Sequence, residues 1–145
     1  MFIEKTRLAE IEPFTTADGS TIRELMHPAV HGNQNQSLAE ATIATGCITR
    51  LHKHTDSEEL YHVIQGQGEM SLGDKRFTVG VGDTVCIRPG IPHQIRNTGD
   101  NDLKIFFFCF LFFFFFFFFL FFFFVFFFFF YNNKIIYSIK DKYIY

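Results

Sequence analysis

His52-x-His54, then Glu59, then His93 in the run Pro89-Gly90-Ile91-Pro92-His93, supply three imidazoles and one carboxylate. Such a set is a ligand shell for a divalent transition metal, and its nitrogen and oxygen donors suit Fe, Mn, Ni, Zn or Cu rather than Ca or Mg. His52 and His54 stand two apart, which on a strand points both side chains to one face. Glu59 opens the apolar stretch Glu59-Leu60-Tyr61-His62-Val63-Ile64, and a hairpin returns its carboxylate to the two imidazoles. Glu58 competes for that role. The residue types do not choose among the five metals.

The elements that must position these groups read as short strands. Leu38 to Ile43, Cys47 to His54, Glu59 to Ile64, Gly68 to Leu72, Arg76 to Val79, Asp83 to Ile87, His93 to Arg96 and Leu103 to Phe108 are β-branched or alternating, and Gly66, Gly73-Asp74, Gly80, Gly82 and Pro89-Gly90 punctuate them. Thr21 to Met26 adds an edge strand after the turn Thr16-Ala17-Asp18-Gly19-Ser20. Many short strands at this spacing predict an all-β sandwich or barrel. A chain of 145 residues is one domain of that kind.

The glycines around the ligands carry a resemblance. Gly46, five residues, His52-Lys53-His54, four residues, Glu59, six residues and Gly66 resemble the first motif of the cupins. Fifteen residues on, Gly82 opens a segment whose Gly90-Ile91-Pro92-His93 core and closing Asn97 resemble the second motif. One position departs: Arg88 stands where the family usually has proline, and Pro89 follows it. The six-residue spacing to Gly66 favours Glu59 over Glu58. Residues 35–109 are thus similar to a small single-domain cupin of the RmlC-like type, after an N-terminal strand or arm over 1–34. The resemblance implies a double-stranded β-helix, a jelly-roll barrel, with one divalent metal on His52, His54, Glu59 and His93. It also implies a small-molecule substrate in the barrel, as in the metal-dependent dioxygenases and isomerases of the family. A non-enzymatic cupin binding a sugar or other small ligand is the alternative. Small cupins commonly pair edge strands across a twofold axis, so a homodimer through the cupin domain is expected.

The remaining polar residues have plainer uses. His62 lies on the strand face opposite Glu59 and reads as packing or surface. His27 and His31 read as surface or loop residues. Arg50 shares strand parity with His52, where it could meet an anionic substrate or form a salt bridge at the rim. Tyr61 shares the parity of Glu59 and either bonds a ligand or fills the barrel. Cys47, Cys86 and Cys109 have no metal or redox spacing, and read as buried free thiols in a reducing compartment. A formal net charge of −2 without a Lys/Arg cluster argues against a nucleic-acid partner. The N-terminus shows no secretory signal, which points to a cytoplasmic cupin domain.

Ile105 to Phe130 is of another character. From Phe106 to Phe130, twenty-one of twenty-five residues are phenylalanine, broken only by Cys109, Leu111, Leu120 and Val125. No strand or helix period survives in this low-complexity run. Its length and lack of charge meet the criterion for a transmembrane helix, and at about −0.3 kcal/mol per residue it sums to roughly −8 kcal/mol for insertion. One expectation is therefore a continuous, helix-like hydrophobic extension over 105–130, apart from the barrel interior, with membrane association through it and a polar tail at 131–145. A run of T in DNA also encodes polyphenylalanine, and a frameshifted, non-functional product explains the run better than a selected anchor. Phenylalanine has good β-propensity as well, so Phe106 to Phe110 can pair as a native strand would. Either way, an aromatic run of low charge favours aggregation. The full-length chain is expected to fractionate with membranes or inclusion bodies, and deletion after residue 110 to restore it to the supernatant. A detergent-free soluble monomer of the full chain in light scattering contradicts this.

Overall fold

The computed structural model describes residues 2–17 and 19–111. Among them are nine strands and two short helical turns. A 3-10 turn at Leu8–Glu10 is followed by β1 Phe14–Thr15, β2 Thr21–Met26, α1 Pro28–His31, β3 Gln36–Ile43, β4 Ser57–Gln65, β5 Gln67–Leu72, β6 Lys75–Gly80, β7 Thr84–Ile87, β8 His93–Asn97 and β9 Leu103–Leu111. They form a six-stranded sheet, β1-β2-β3-β9-β4-β7, and a three-stranded sheet, β6-β5-β8, with every pairing antiparallel. The expected all-β fold is what forms. Alternation decides which residues go inside: Ala39, Ala41 and Ile43 of β3, Val63 of β4, Met70 of β5, Ile95 of β8, and Leu103 and Ile105 of β9 meet in one core drawn from both sheets.

The expected strand at Cys47 to His54 is not a strand. That segment runs beside β8 through hydrogen bonds from Thr49 N to Ile95 O and from Asn97 N to Cys47 O, then through the His52–His93 bridge. Three steps along one chain, Thr49 to His52, match two along the other, Ile95 to His93. The extra residue is a bulge, and it breaks the ladder. It also lets Thr49 and His52, of opposite parity, both line the interior.

Residues 105 to 111 require a second correction. Rather than opening a separate element, they continue β9, a central strand paired with β3 on one side and β4 on the other. The first residues of the phenylalanine run pair as a native strand would, because Leu103, Ile105, Phe107 and Cys109 share the inward face. The remainder of the expected helix-like extension and membrane span, and the polar tail, lie outside the described residues. Among the described residues no helix is long and apolar enough to cross a membrane. His31 also departs from the surface reading: it is buried, and its Nδ1 accepts from the His27 amide at 3.0 Å. Cys47 and Cys86 are exposed and Cys109 is half-buried, so all three are free thiols without full burial.

Gly66 shows why the first motif closes on glycine. Its φ is 79°, in the left-handed region, and a Cβ there would lie 2.8 Å from the Asp102 carbonyl oxygen. The β4–β5 turn and the start of β9 therefore approach each other only without a side chain. Gly66→Ala is expected to destabilise the domain by about 2 kcal/mol, from left-handed strain and the backbone clash together. Urea unfolding at constant m-value measures it, and a loss below about 0.5 kcal/mol would show that the turn relaxes freely.

Candidate metal centre

The four sequence-selected residues converge. One ligating atom each from His52, His54, Glu59 and His93 can be chosen so that all lie within 4.8 Å of one another. That span is close to the ~4.4 Å between opposed ligands at ~2.2 Å from an ion. The imidazole centroids stand 4.3 Å apart for His52 and His93, 5.2 Å for His52 and His54, and 5.6 Å for His54 and His93. Backbone pairing sets this grouping: His52 N donates to His93 O at 3.1 Å, and His93 N returns to His52 O at 2.8 Å. The His54 carbonyl accepts from Gly90 N at 2.7 Å, and Gly90, at φ 80°, makes the turn that brings β8 back to His52. Glu59 comes from β4 in the other sheet, and Glu58 beside it faces away toward Cys86.

Two imidazoles are aimed by the backbone around them. His52 Nδ1 lies 2.9 Å from the Arg50 carbonyl, and His93 Nδ1 lies 3.1 Å from the Ile91 carbonyl. A carbonyl only accepts, so each Nδ1 carries the hydrogen and each Nε2 is left as the free donor atom. This is the outer support that metal-binding histidines commonly use.

The interior ends of the cluster have no hydrogen-bond partner. His54 Nε2, His93 Nε2 and Glu59 Oε2 are buried and unsatisfied, although Oε2 is 3.3 Å from His54 Nε2 and 3.2 Å from His93 Nε2. Oε2 thus lies within ion-pair distance of both nitrogens without the alignment of a hydrogen bond. Buried polar atoms are rarely left so, and a shared cation would satisfy all three at once. The donor set fits a divalent transition metal.

Glu59 is 3% exposed and His93 fully buried. Burial alone pushes the Glu59 carboxyl up, but His54 and His93 together outweigh it and hold the group down at about 2. Contact with that carboxylate raises His54 above its ordinary 6.5, against the opposing effect of burial. On the far side of Glu59, Cys109 Sγ donates to Oε1 at 3.3 Å, and burial, then the carboxylate, push this thiol up to about 12. Cys109 was not singled out as a functional residue from the sequence. The alternation Leu103, Ile105, Phe107, Cys109 was the signal that places it on the inner face.

A cavity of about 380 Å³ opens beside the cluster, walled by Ile22, Ala41, Ile43, Ile95, Ile105 and Phe107, with Arg50, His52, His54, Glu59 and Tyr61 also lining it. Tyr61 packs edge-on to the His93 ring at 5.9 Å and to Phe107 at 6.5 Å. Arg50 is exposed, and no ion pair to it is formed among the described residues, so the expected rim salt bridge is not made. His62 bonds Thr84 Oγ1 at 2.9 Å, away from the cluster.

Two antiparallel sheets enclosing a His/Glu cluster match what the motifs implied, and comparison with known proteins agrees. Residues 39–109 match the family profile described as Cupin domain. The uncharacterized protein MJ1618 of Methanocaldococcus jannaschii is 49% identical over 105 residues, 72% of this chain and 84% of its own length. The chain belongs to the cupin family. The oxalate-binding protein of Thermotoga maritima is 30% identical over 82 residues, 57% of this chain and 64% of its own length. A crystal structure of a predicted oxalate decarboxylase from T. maritima superposes with a TM-score of 0.66 at 25% identity, over 77% of this chain and 99% of its own.

The two shifted groups set the pH behaviour of the metal-free cupin domain. Glu59, depressed when folded, contributes stability that is present above its ordinary 4.5 and lost as pH falls toward about 2. His54, raised when folded, contributes stability that is full below 6.5 and lost as pH rises through its folded value. Their combined contribution is expected to peak between about pH 4.5 and 6.5. Metal reverses the upper limb, because it needs the imidazole unprotonated. Thermal unfolding with and without added metal across about pH 2 to 8 checks both slopes, and identical profiles would count against the cluster.

Proposed function

We propose that this cupin holds one divalent transition metal on His52, His54, Glu59 and His93 and binds a small carboxylate in the adjoining cavity. The observation that carries the reading is the buried, unpartnered trio His54 Nε2, His93 Nε2 and Glu59 Oε2 beside that space. A bound ion would supply Lewis acidity toward an oxygen-bearing ligand. The chain's own groups do the rest. The apolar wall excludes water and limits ligand size, and Arg50 offers a guanidinium to the carboxylate end remote from the ligands. The relative that binds oxalate supports this ligand class.

An enzymatic reading, of the isomerase or dioxygenase kind, draws on one specific observation. Tyr61 lines the cavity next to His93, where its phenol can hold or pass a proton to a bound molecule. Fold alone does not name a reaction.

Metal analysis and calorimetry test the binding reading. The wild-type chain is expected to carry about one metal per chain and His52→Ala to lose most of it, a removed ligand typically costing about 3 kcal/mol or more of affinity. Arg50→Ala should keep the metal and weaken oxalate, used as the probe, by about tenfold. Equal metal content in wild type and His52→Ala, or unchanged oxalate affinity in Arg50→Ala, would refute the corresponding part. Turnover that Tyr61→Phe abolishes with oxalate affinity intact would establish the enzymatic reading.

A further inference from the structure

We propose that Cys109 is a positioning residue for Glu59, its thiol holding one carboxylate oxygen so that the other alone faces the metal. The inference rests on the metal reading above. Ser37, Cys109, Glu59 and Ile87 stand directly opposite one another on β3, β9, β4 and β7, in one row across four adjacent strands. Glu59 occupies the inner face of that row. Its two oxygens have different neighbours: Oε1 accepts from Cys109 Sγ at 3.3 Å, while Oε2 faces His54 Nε2 and His93 Nε2 and has no hydrogen-bond partner.

The cross-strand neighbours make Cys109 the group that can impose this division. Ile87, on the other side of Glu59, is 2% exposed and offers no donor. Ser37 stands directly opposite Cys109 on β3, at the far end of the row from Ile87. A carboxylate without such a tether rotates about its terminal bond, a broad torsion, and presents either oxygen or both. With Oε1 occupied, Glu59 ligates through Oε2 only. The thiol is a weak donor, so it sets direction while leaving the negative charge available to the ion. Hydrogen bonding of a ligating carboxylate from outside the ligand set is the general way in which such groups are held, and its loss costs about 10–100-fold in metal affinity.

The test uses the full-length chain in mild detergent and has a metal-free part and a metal part. In the metal-free protein, infrared spectroscopy should show one S–H stretching band, absent from C109S, displaced below that of the exposed Cys47. In E59A that band should move up to join it. On titration with Co(II) alone, C109A should bind about tenfold more weakly with altered d–d bands, reporting a changed carboxylate mode, and C109S should restore the wild-type spectrum and affinity to within about threefold. An S–H band that is unshifted, or indifferent to E59A, overturns the proposal. So does an equal loss in C109A and C109S, which marks a packing role, or a thiolate-to-cobalt charge-transfer band, which makes Cys109 a ligand. A displaced band in a wild-type protein that takes up no Co(II) upholds the Cys109–Glu59 bond and refutes the metal reading.

Discussion

The mutual backbone hydrogen bonds of His52 and His93 are the constraint on which the site depends. They join the two segments that carry the imidazoles at the place where the ladder has just been broken by the bulge after Thr49. Without that break, regular alternation would turn either Thr49 or His52 out of the barrel. With it, Thr49 stays inside, its Oγ1 accepting from Ile95 N at 3.0 Å, and the His52 ring also points inward. A local irregularity thus reconciles the needs of the core with those of the cluster.

Burial does the electrostatic work. Glu59 is taken out of water where only imidazoles, and on its other oxygen a thiol, can compensate it. Such a group is costly in an apolar core and is retained where it has a charged partner. The depressed carboxyl and the raised His54 are two views of one interaction, which a metal ion would strengthen by replacing the proton.

The grouping of His52, His54, Glu59 and His93 and the strand content were legible because both leave local marks: imidazoles at fixed offsets from glycines, and apolar residues at every second position. Gly66 and Asn97 mark positions where backbone must approach closely. Asn97 is buried, donating to Ile43 O at 2.9 Å and to Asn101 O at 2.8 Å while its Oδ1 accepts from Gly99 N at 2.9 Å, so it secures the end of β3 and the β8–β9 turn together. The irregular course of Cys47 to His54 was not legible, because a bulge depends on the register of a distant partner strand and leaves no composition signal. His31 was misread for a related reason: its burial comes from the short helix at Pro28–His31, which a four-residue stretch is too brief to announce. Cys109 was hidden by its setting. In a run of phenylalanine it reads as an interruption, and only the sheet register shows it standing opposite Glu59.

The central place of β9 has a consequence for the order in which the sheet can assemble. β3 and β4 follow each other in the chain but do not pair; each instead lends its edge to β9, the last strand of the described residues. Until β9 arrives, β1–β3 and β4–β7 are separate pieces of sheet with open edges, and Glu59 has no neighbour on one flank. Joining them closes loops that span most of the domain, so the decisive step is long-range and late, and entropy opposes it most. The six-stranded sheet, and the Cys109 flank of Glu59, are therefore complete only once β9 has paired with both β3 and β4.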